Sequence, residues 1–315
     1  VVTCQIYGKW RNAKSRPDGK EGDKEKQEAV DTLMQIFPHL RVAYVDERPP
    51  KKPTEFFSVL VRWCNVEKKI VECYRVKLPG PILVGEGKPN NQNHAIIFTR
   101  GEFLQTMDMN QDGYFEEALK LRNLLQEFAG TPEALSGGCC DGAKACAAGL
   151  CTACCERIEN ETDRVQIVGF PEHQFSENLS AVAEFAALTE FTFTTLIQRT
   201  LASPFDVRMH YGHPDIFDKI FHISRGGVSK ASKTLNVSED IFGGFNSVYK
   251  GGRVVYKEYV KQGKGKDLGF DDCAMFEAKI SAGNGEQALS RDYSRLSDQM
   301  DLPRALAFFQ SSNGL

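Results

Sequence analysis

Between residues 24 and 45 the apolar residues change period, and that change restricts the fold more than any single motif. Val30, Leu33, Met34 and Phe37 recur at helical intervals and stop at Pro38, whereas residues 40–45 alternate like a strand that ends in Asp46 and Glu47. An apolar, β-branched run at 1–7, closed by Gly8, predicts a buried strand before them, with a solvated loop across the charged stretch 9–26. Strand, helix, strand is the opening of an α/β sheet. Extended runs at 56–63 and 70–76, separated by polar residues 65–69, add a hairpin.

The chain has 315 residues, 41% of them hydrophobic, enough for one large core or two modest domains. Its net charge of −3, with both signs interspersed, argues against an electrostatic nucleic-acid binder. The longest apolar segment, 180–197, is interrupted by Glu184, Glu190 and several threonines and predicts no membrane span. The chain opens Val-Val-Thr-Cys without an initiator Met, so we expect a piece of a longer protein. Of ten cysteines, Cys4, Cys64, Cys73 and Cys273 are isolated and read as buried reduced thiols in a cytosolic setting.

The other six crowd a Gly-, Ala- and Cys-rich stretch at 131–160, a low-complexity insertion. Cys151 and Cys154 have a zinc-like spacing, but no second CxxC or His pair accompanies them, and a loose loop is the plainer reading. Before the insertion, the glycine and amide loop 83–94 either offers backbone N–H groups and Lys88 to a phosphate or is an ordinary turn, and a strand is expected at 95–99. Residues 108–119 imitate a calcium loop until Leu119 falls where the closing Glu is required. We read a strand end presenting Asp108, then a helix over 114–128 with Ala118, Leu121, Leu125 and Phe128 on its apolar face.

After a mostly helical stretch at 170–199, residues 206–246 concentrate His210, His213, an Arg-Gly-Gly-Val-Ser-Lys turn at 225–230 and the acidic pair Glu239 and Asp240. Paired carboxylates beside a basic, glycine-bearing turn suit an enzyme that deprotonates a nucleophile near an anionic leaving group. The same pair also suits a helix N-terminus after Ser238, and the 225–230 turn is equally a phosphate nest or a plain turn. A strand is expected at 253–260, a glycine and lysine loop at 262–267, and a glycine turn at 283–285 opening a helix that sets Gln287 and Arg291 on one face.

Eight stretches, in order along almost the whole chain, resemble the catalytic region of the 1,3-beta-glucan synthases, which include the callose synthases of plants and their fungal counterparts. They are VVTCQIYG at 1–8, RVAYVDERPP at 41–50, GEGKPNNQNHAIIFTRGE at 85–102, QTMDMNQDGYFEEALKLRNLLQEF at 105–128, VRMHYGHPDIFDKIFHISRGGVSKA at 207–231, SEDIFGGFNS at 238–247, QGKGKDLGF at 262–270 and AKISAGNGEQALSRD at 278–292. Only the cysteine insertion falls outside the pattern.

The resemblance implies an α/β, GT-A-like glycosyltransferase fold with a mixed central sheet flanked by helices. It implies a nucleotide-sugar side at 1–130, the insertion at 131–165, and a catalytic-base and acceptor side at 166–315. It further implies an inverting, processive transfer of glucose from UDP-glucose to a growing 1,3-beta-D-glucan, by the cytoplasmic-face part of a plasma-membrane synthase with a regulatory GTPase subunit. Such chemistry asks for one base and a stabilised diphosphate. Glu239, flanked by Asp240, matches the base; Lys88, Lys279 and Arg291 match the cations facing the diphosphate. Asp108 would face the donor sugar or a magnesium ion, Gln5 and Asp46 the nucleotide, and Gln287 either a diphosphate or an acceptor end. The Gln-x-x-Arg-Trp helix of related processive synthases is replaced here by Gln287-x-x-x-Arg291-Asp292, which leaves acceptor stacking without an aromatic. The competing reading is a nucleotide-sugar-binding or regulatory module without turnover, which would not need the acidic pair.

Overall fold

The structure is a computed structural model that describes residues 1–4, 7–12, 21–48, 55–81, 88–129, 165–176, 180–230, 239–265 and 269–312. It is mixed α/β and divides into two units, one formed by residues 1–101 with 225–239 and the other by 102–224 with 240–315.

The first unit is built on a four-stranded sheet, β1 (Val2–Thr3), β2 (Arg41–Arg48), β3 (Glu55–Cys64) and β4 (Lys69–Lys77), ordered as numbered. β1 runs parallel to β2, and β2, β3 and β4 are antiparallel neighbours. Alternation assigns the faces. Val42, Tyr44, Val59 and Val61 point to Tyr7 and Met34, which come from helices Tyr7–Asn12 and Glu21–Ile36. Ala43 and Leu60 point the other way, to Ala95 and Phe98.

The expected helix, second strand and hairpin are all present. The expected strand at 1–7 is cut short: β1 pairs only at Val2 and Thr3, and Tyr7 belongs to a helix, sealed in the core and donating to Asp31. The charged stretch 9–26 likewise contributes helical residues on both sides of 13–20. Residues 95–99 are not a strand either. They continue helix Lys88–Ala95 into a 3₁₀ turn, Ile96–Phe98, because Ala95 and Phe98, three apart, must reach the same sheet face.

In the second unit, β5 (Phe103–Gln105), β7 (Val165–Gly169), β9 (Ile216–Asp218) and β10 (Arg253–Tyr256) form a mixed sheet in the order β10-β7-β9-β5. β6 (Gln111–Asp112), β8 (Glu172–Phe175) and β11 (Gln262–Gly265) form a small one in the order β6-β11-β8. Leu124, Phe128, Val168, Phe170, Ile216 and Val260 pack together beside the first of these. Three expectations change here. The helix at 114–128 is broken into Phe115–Leu119, Leu121–Gln126 and a 3₁₀ turn, and buries Leu124 rather than Leu121. Residues 262–265 are a strand, because the Phe175 ring lies over Gly263 and Gly265, where a Cβ would come within 3.2 and 3.1 Å of it. The glycines at 283 and 285 lie inside helix Phe270–Ala288, so the helix ends just past Gln287 and Arg291 opens the next one, Arg291–Ser297. Gln287 and Arg291 therefore share no helical face. Cys4, Cys64, Cys73 and Cys273 are free thiols but half-buried rather than sealed.

Candidate functional site

In the first unit the amide-rich helix Lys88–Ala95 is fixed at several points. Asn91 donates to the Thr3 carbonyl at 3.3 Å, and Asn93 exchanges hydrogen bonds with the backbone of Ser229 at 2.7 and 3.2 Å. Ser229 in turn donates to Gln92. This docking explains the glycines of the 225–230 turn. Gly226 and Gly227 have φ of +100° and +98°, and a Cβ on Gly227 would lie 2.3 Å from the Asn93 amide oxygen. Held this way, Lys88 places Nζ 3.1 Å from Oε1 of Glu239, whose side chain is only 5% exposed. The ammonium compensates a carboxylate that burial would otherwise penalise.

His94 closes the same helix. Its Nδ1 lies 2.7 Å from the Ser58 hydroxyl, and burial lowers its pKa to about 4, so the ring is neutral near pH 7. Asp46, on β2, is buried and accepts from Arg75 at 2.8 Å. Gln5 lies outside the described residues, as do Ser238 and the cysteine-rich insertion from 131 to 164.

In the second unit Asp240 is the second residue of helix Glu239–Tyr249, and its Oδ2 lies 2.9 Å from Nε2 of His210. The edge of Phe193 confines the His210 ring at 4.9 Å, and Nδ1 of that ring is buried with no partner among the described residues. Gly244 makes this approach possible. A Cβ there would sit 1.6 Å from the Met209 carbonyl oxygen, so the helix touches segment 209–211 backbone to backbone. The segment itself is anchored by a sealed ion pair, Arg208 to Asp215 at 2.9 Å. Burial pushes the Asp215 carboxyl up, opposed by the Arg208 guanidinium and the Gly212 N–H.

Asp108 follows β5 and fixes its turn by donating its N–H to Gln111. Its Oδ2 is 3.7 Å from Nζ of Lys264 and 4.0 Å from Nδ1 of His213. Lys264 also lies 3.7 Å from Glu172, which accepts from Gln111 at 2.7 Å. Burial raises the Glu172 carboxyl, with Lys264 opposing. Lys279 and Arg291 are exposed, whereas Gln287 is fully buried with neither amide atom hydrogen-bonded among the described residues.

Of the residues singled out from the sequence, the structure thus pairs Lys88 with Glu239 and joins Asp240 to His210. It sets Asp108 among Lys264, His213, Glu172 and Gln111. His210 stands out in the sequence only as one of the two histidines of the 206–246 stretch, with nothing to name its partner. Lys264 was hidden in a stretch read as loop, and Glu172 carries no motif that sequence inspection could use.

The family model described as 1,3-beta-glucan synthase component matches residues 2–315. Over all of the chain, callose synthase 12 of Arabidopsis thaliana is 47% identical, and putative callose synthase 6 and callose synthase 7 of the same plant are each 48% identical. The chain spans only 16%, 15% and 15% of those proteins' lengths, respectively. With a match across its whole described extent, the chain belongs to the 1,3-beta-glucan synthase family.

Proposed function

We propose that this chain is the catalytic part of a synthase that transfers glucose from UDP-glucose to a growing 1,3-beta-D-glucan, with inversion and without releasing the polymer between additions. The observation that carries the reading is the Lys88–Glu239 pair: a buried carboxylate beside a cation that can turn to a diphosphate. Glu239 takes the proton of the acceptor 3-hydroxyl. His210 holds Asp240 in one orientation beside it in sequence. Lys88, Lys279 and Arg291 balance the charge of the leaving UDP, each contact worth roughly 1.5–3 kcal/mol.

Gln5 and Asp46 line the nucleotide, and Gln287, buried with an unsatisfied amide, serves the acceptor end. Asp108 is a single carboxylate with a lysine at 3.7 Å, which fits a magnesium ion only where substrate phosphates complete the shell. Bound there, magnesium would supply charge stabilisation to the diphosphate. In this reading the fold is of GT-A type, with the nucleotide-sugar side in 1–130, the 131–165 insertion, and the base and acceptor side in 166–315. The remainder of the full-length protein supplies the plasma-membrane channel, with this part on the cytoplasmic face and a regulatory GTPase as partner. Among the described residues no helix is long and apolar enough to cross a membrane.

The test uses membranes containing the full-length protein, UDP-glucose and a 1,3-beta-glucanase. A digestible polymer is expected, and Glu239→Gln should lower its formation roughly 10²–10⁴-fold while UDP still binds, the range for loss of a general base. An unchanged yield in that variant removes Glu239 from the role.

A further inference from the structure

The 88–98 segment covers only part of its face of the first unit's sheet. Ala43 and Leu60 pack beneath Ala95 and Phe98. Toward the start of β2 the same face continues through Arg41, in register with Arg62 on β3, which is in register with Val71 on β4. Among the described residues of the first unit the face is open here. A cleft of about 580 Å³ lies over it, bounded by Arg41, Arg62, Arg100, His39, Tyr74 and Glu72.

The charge in this cleft is unbalanced. Arg41 and Arg62 stand directly opposite each other across an antiparallel ladder, an arrangement that sets Cβ atoms ~5 Å apart and is unfavourable for like charges. Among the described residues no carboxylate lies within ion-pair distance of Arg41, Arg62 or Arg100. Glu72 offers little relief, because both of its oxygens accept from Arg75 at 2.7 Å. An exposed aromatic completes the wall: Tyr74 stacks on Phe98 with ring centroids 6.4 Å apart, which holds its ring in place. None of the residues assigned to sugar transfer lines the cleft, and Asp46 lies five residues along β2 from Arg41, on the opposite face by alternation.

We propose that this cleft binds a compact ligand carrying two or more phosphate groups. Guanidinium groups grip phosphate bidentately, and two of them on adjacent strands, with a third at the rim, match neighbouring phosphates better than one isolated anion. The Tyr74 ring offers apolar surface to whatever group bears the phosphates. The same chemistry belongs to a free polyphosphate and to a phosphorylated lipid headgroup. The inference stands independently of the sugar-transfer reading.

The test uses the purified 315-residue chain, titrated with pyrophosphate and with inositol trisphosphate at matched ionic strength. In parallel it is floated with phosphatidylcholine vesicles with and without phosphatidylinositol bisphosphate. Binding is expected, weakened about tenfold by Arg41→Gln or Arg62→Gln and further by both. The ligand-free melting temperature of either variant should stay level or rise, because a like-charge opposition is relieved. Binding of the free anions assigns a soluble ligand, and capture only by headgroup-bearing vesicles assigns a lipid; both support the site. Binding of none of these probes, or binding that the double variant retains, overturns it.

Discussion

Arg208 and Asp215 form an ion pair of 2.9 Å in which the side chains are 2% and 1% exposed, and segment 207–215 is built around it. Gly169 clears the space: a Cβ there would lie 2.0 Å from the Arg208 Nη1. The Tyr256 ring lies 5.1 Å from the guanidinium, and the Asp215 carbonyl accepts from Thr106 beside β5. The pair thereby ties β5, just before Asp108, to the segment that carries His210 and His213. Asp215→Asn leaves a sealed guanidinium without its counter-charge and should cost about 3–5 kcal/mol in urea unfolding. Arg208→Met combined with Asp215→Leu should cost clearly less than the two single changes summed.

Lys88 is half-exposed while its partner Glu239 is buried, so the two ends of that pair are not equivalent. Lys88→Met removes a charge that water could have solvated anyway but weakens the compensation of one that water cannot reach. We expect a loss of about 1–3 kcal/mol for Lys88→Met, smaller in the Glu239→Gln background. A double-mutant cycle by chemical unfolding measures the coupling. A coupling near zero would mean that other partners of Glu239 carry the compensation.

How far the sequence reveals this molecule depends on the range of the interaction. Helix Glu21–Ile36 and the β3–β4 hairpin were legible because a periodic pattern fills each element and needs no distant partner. Gly263 and Gly265 misled because glycine ordinarily marks a loop, whereas here its bareness admits the Phe175 ring. Residues 95–99 misled because a short apolar run fits strand and helix alike, and only the position of the sheet face decides. At the site, Glu239 and Asp240 stood out as an acidic pair. Their partners did not, since His210 is thirty residues from Asp240 and Lys88 lies far earlier in the chain.

His94 gives the first unit a predicted acid sensitivity. Burial holds its pKa near 4 against an ordinary 6.5, so the folded state favours the neutral ring. A depressed folded pKa contributes stability that is complete above the unfolded value and lost as pH falls toward the folded one. The window is therefore about pH 6.5 down to about pH 4, and the loss across it is on the order of 3 kcal/mol. Unfolding free energies measured at about pH 7 and about pH 4.5 should converge for His94→Gln relative to the parent chain. An equal pH dependence in both would show that other groups dominate.

Gly243 and Gly244 place two poor helix formers inside helix Glu239–Tyr249, each about 1 kcal/mol less favourable there than alanine. On propensity alone, Gly244→Ala should stabilise the protein. Packing predicts the reverse, since the new Cβ would lie 1.6 Å from the Met209 carbonyl oxygen, a backbone atom that cannot swing aside as a side chain would. To admit it the helix must retreat from segment 209–211, which also lengthens the 2.9 Å contact between His210 and Asp240. We expect a net loss of about 1–3 kcal/mol despite the better propensity, the range for overpacking. Thermal unfolding reads the stability. The NMR chemical shifts of the His210 ring read the contact, because an imidazole moved away from the Asp240 carboxylate loses that hydrogen-bond partner. Unchanged stability together with unchanged ring shifts would show that the helix and segment 209–211 are not in backbone contact.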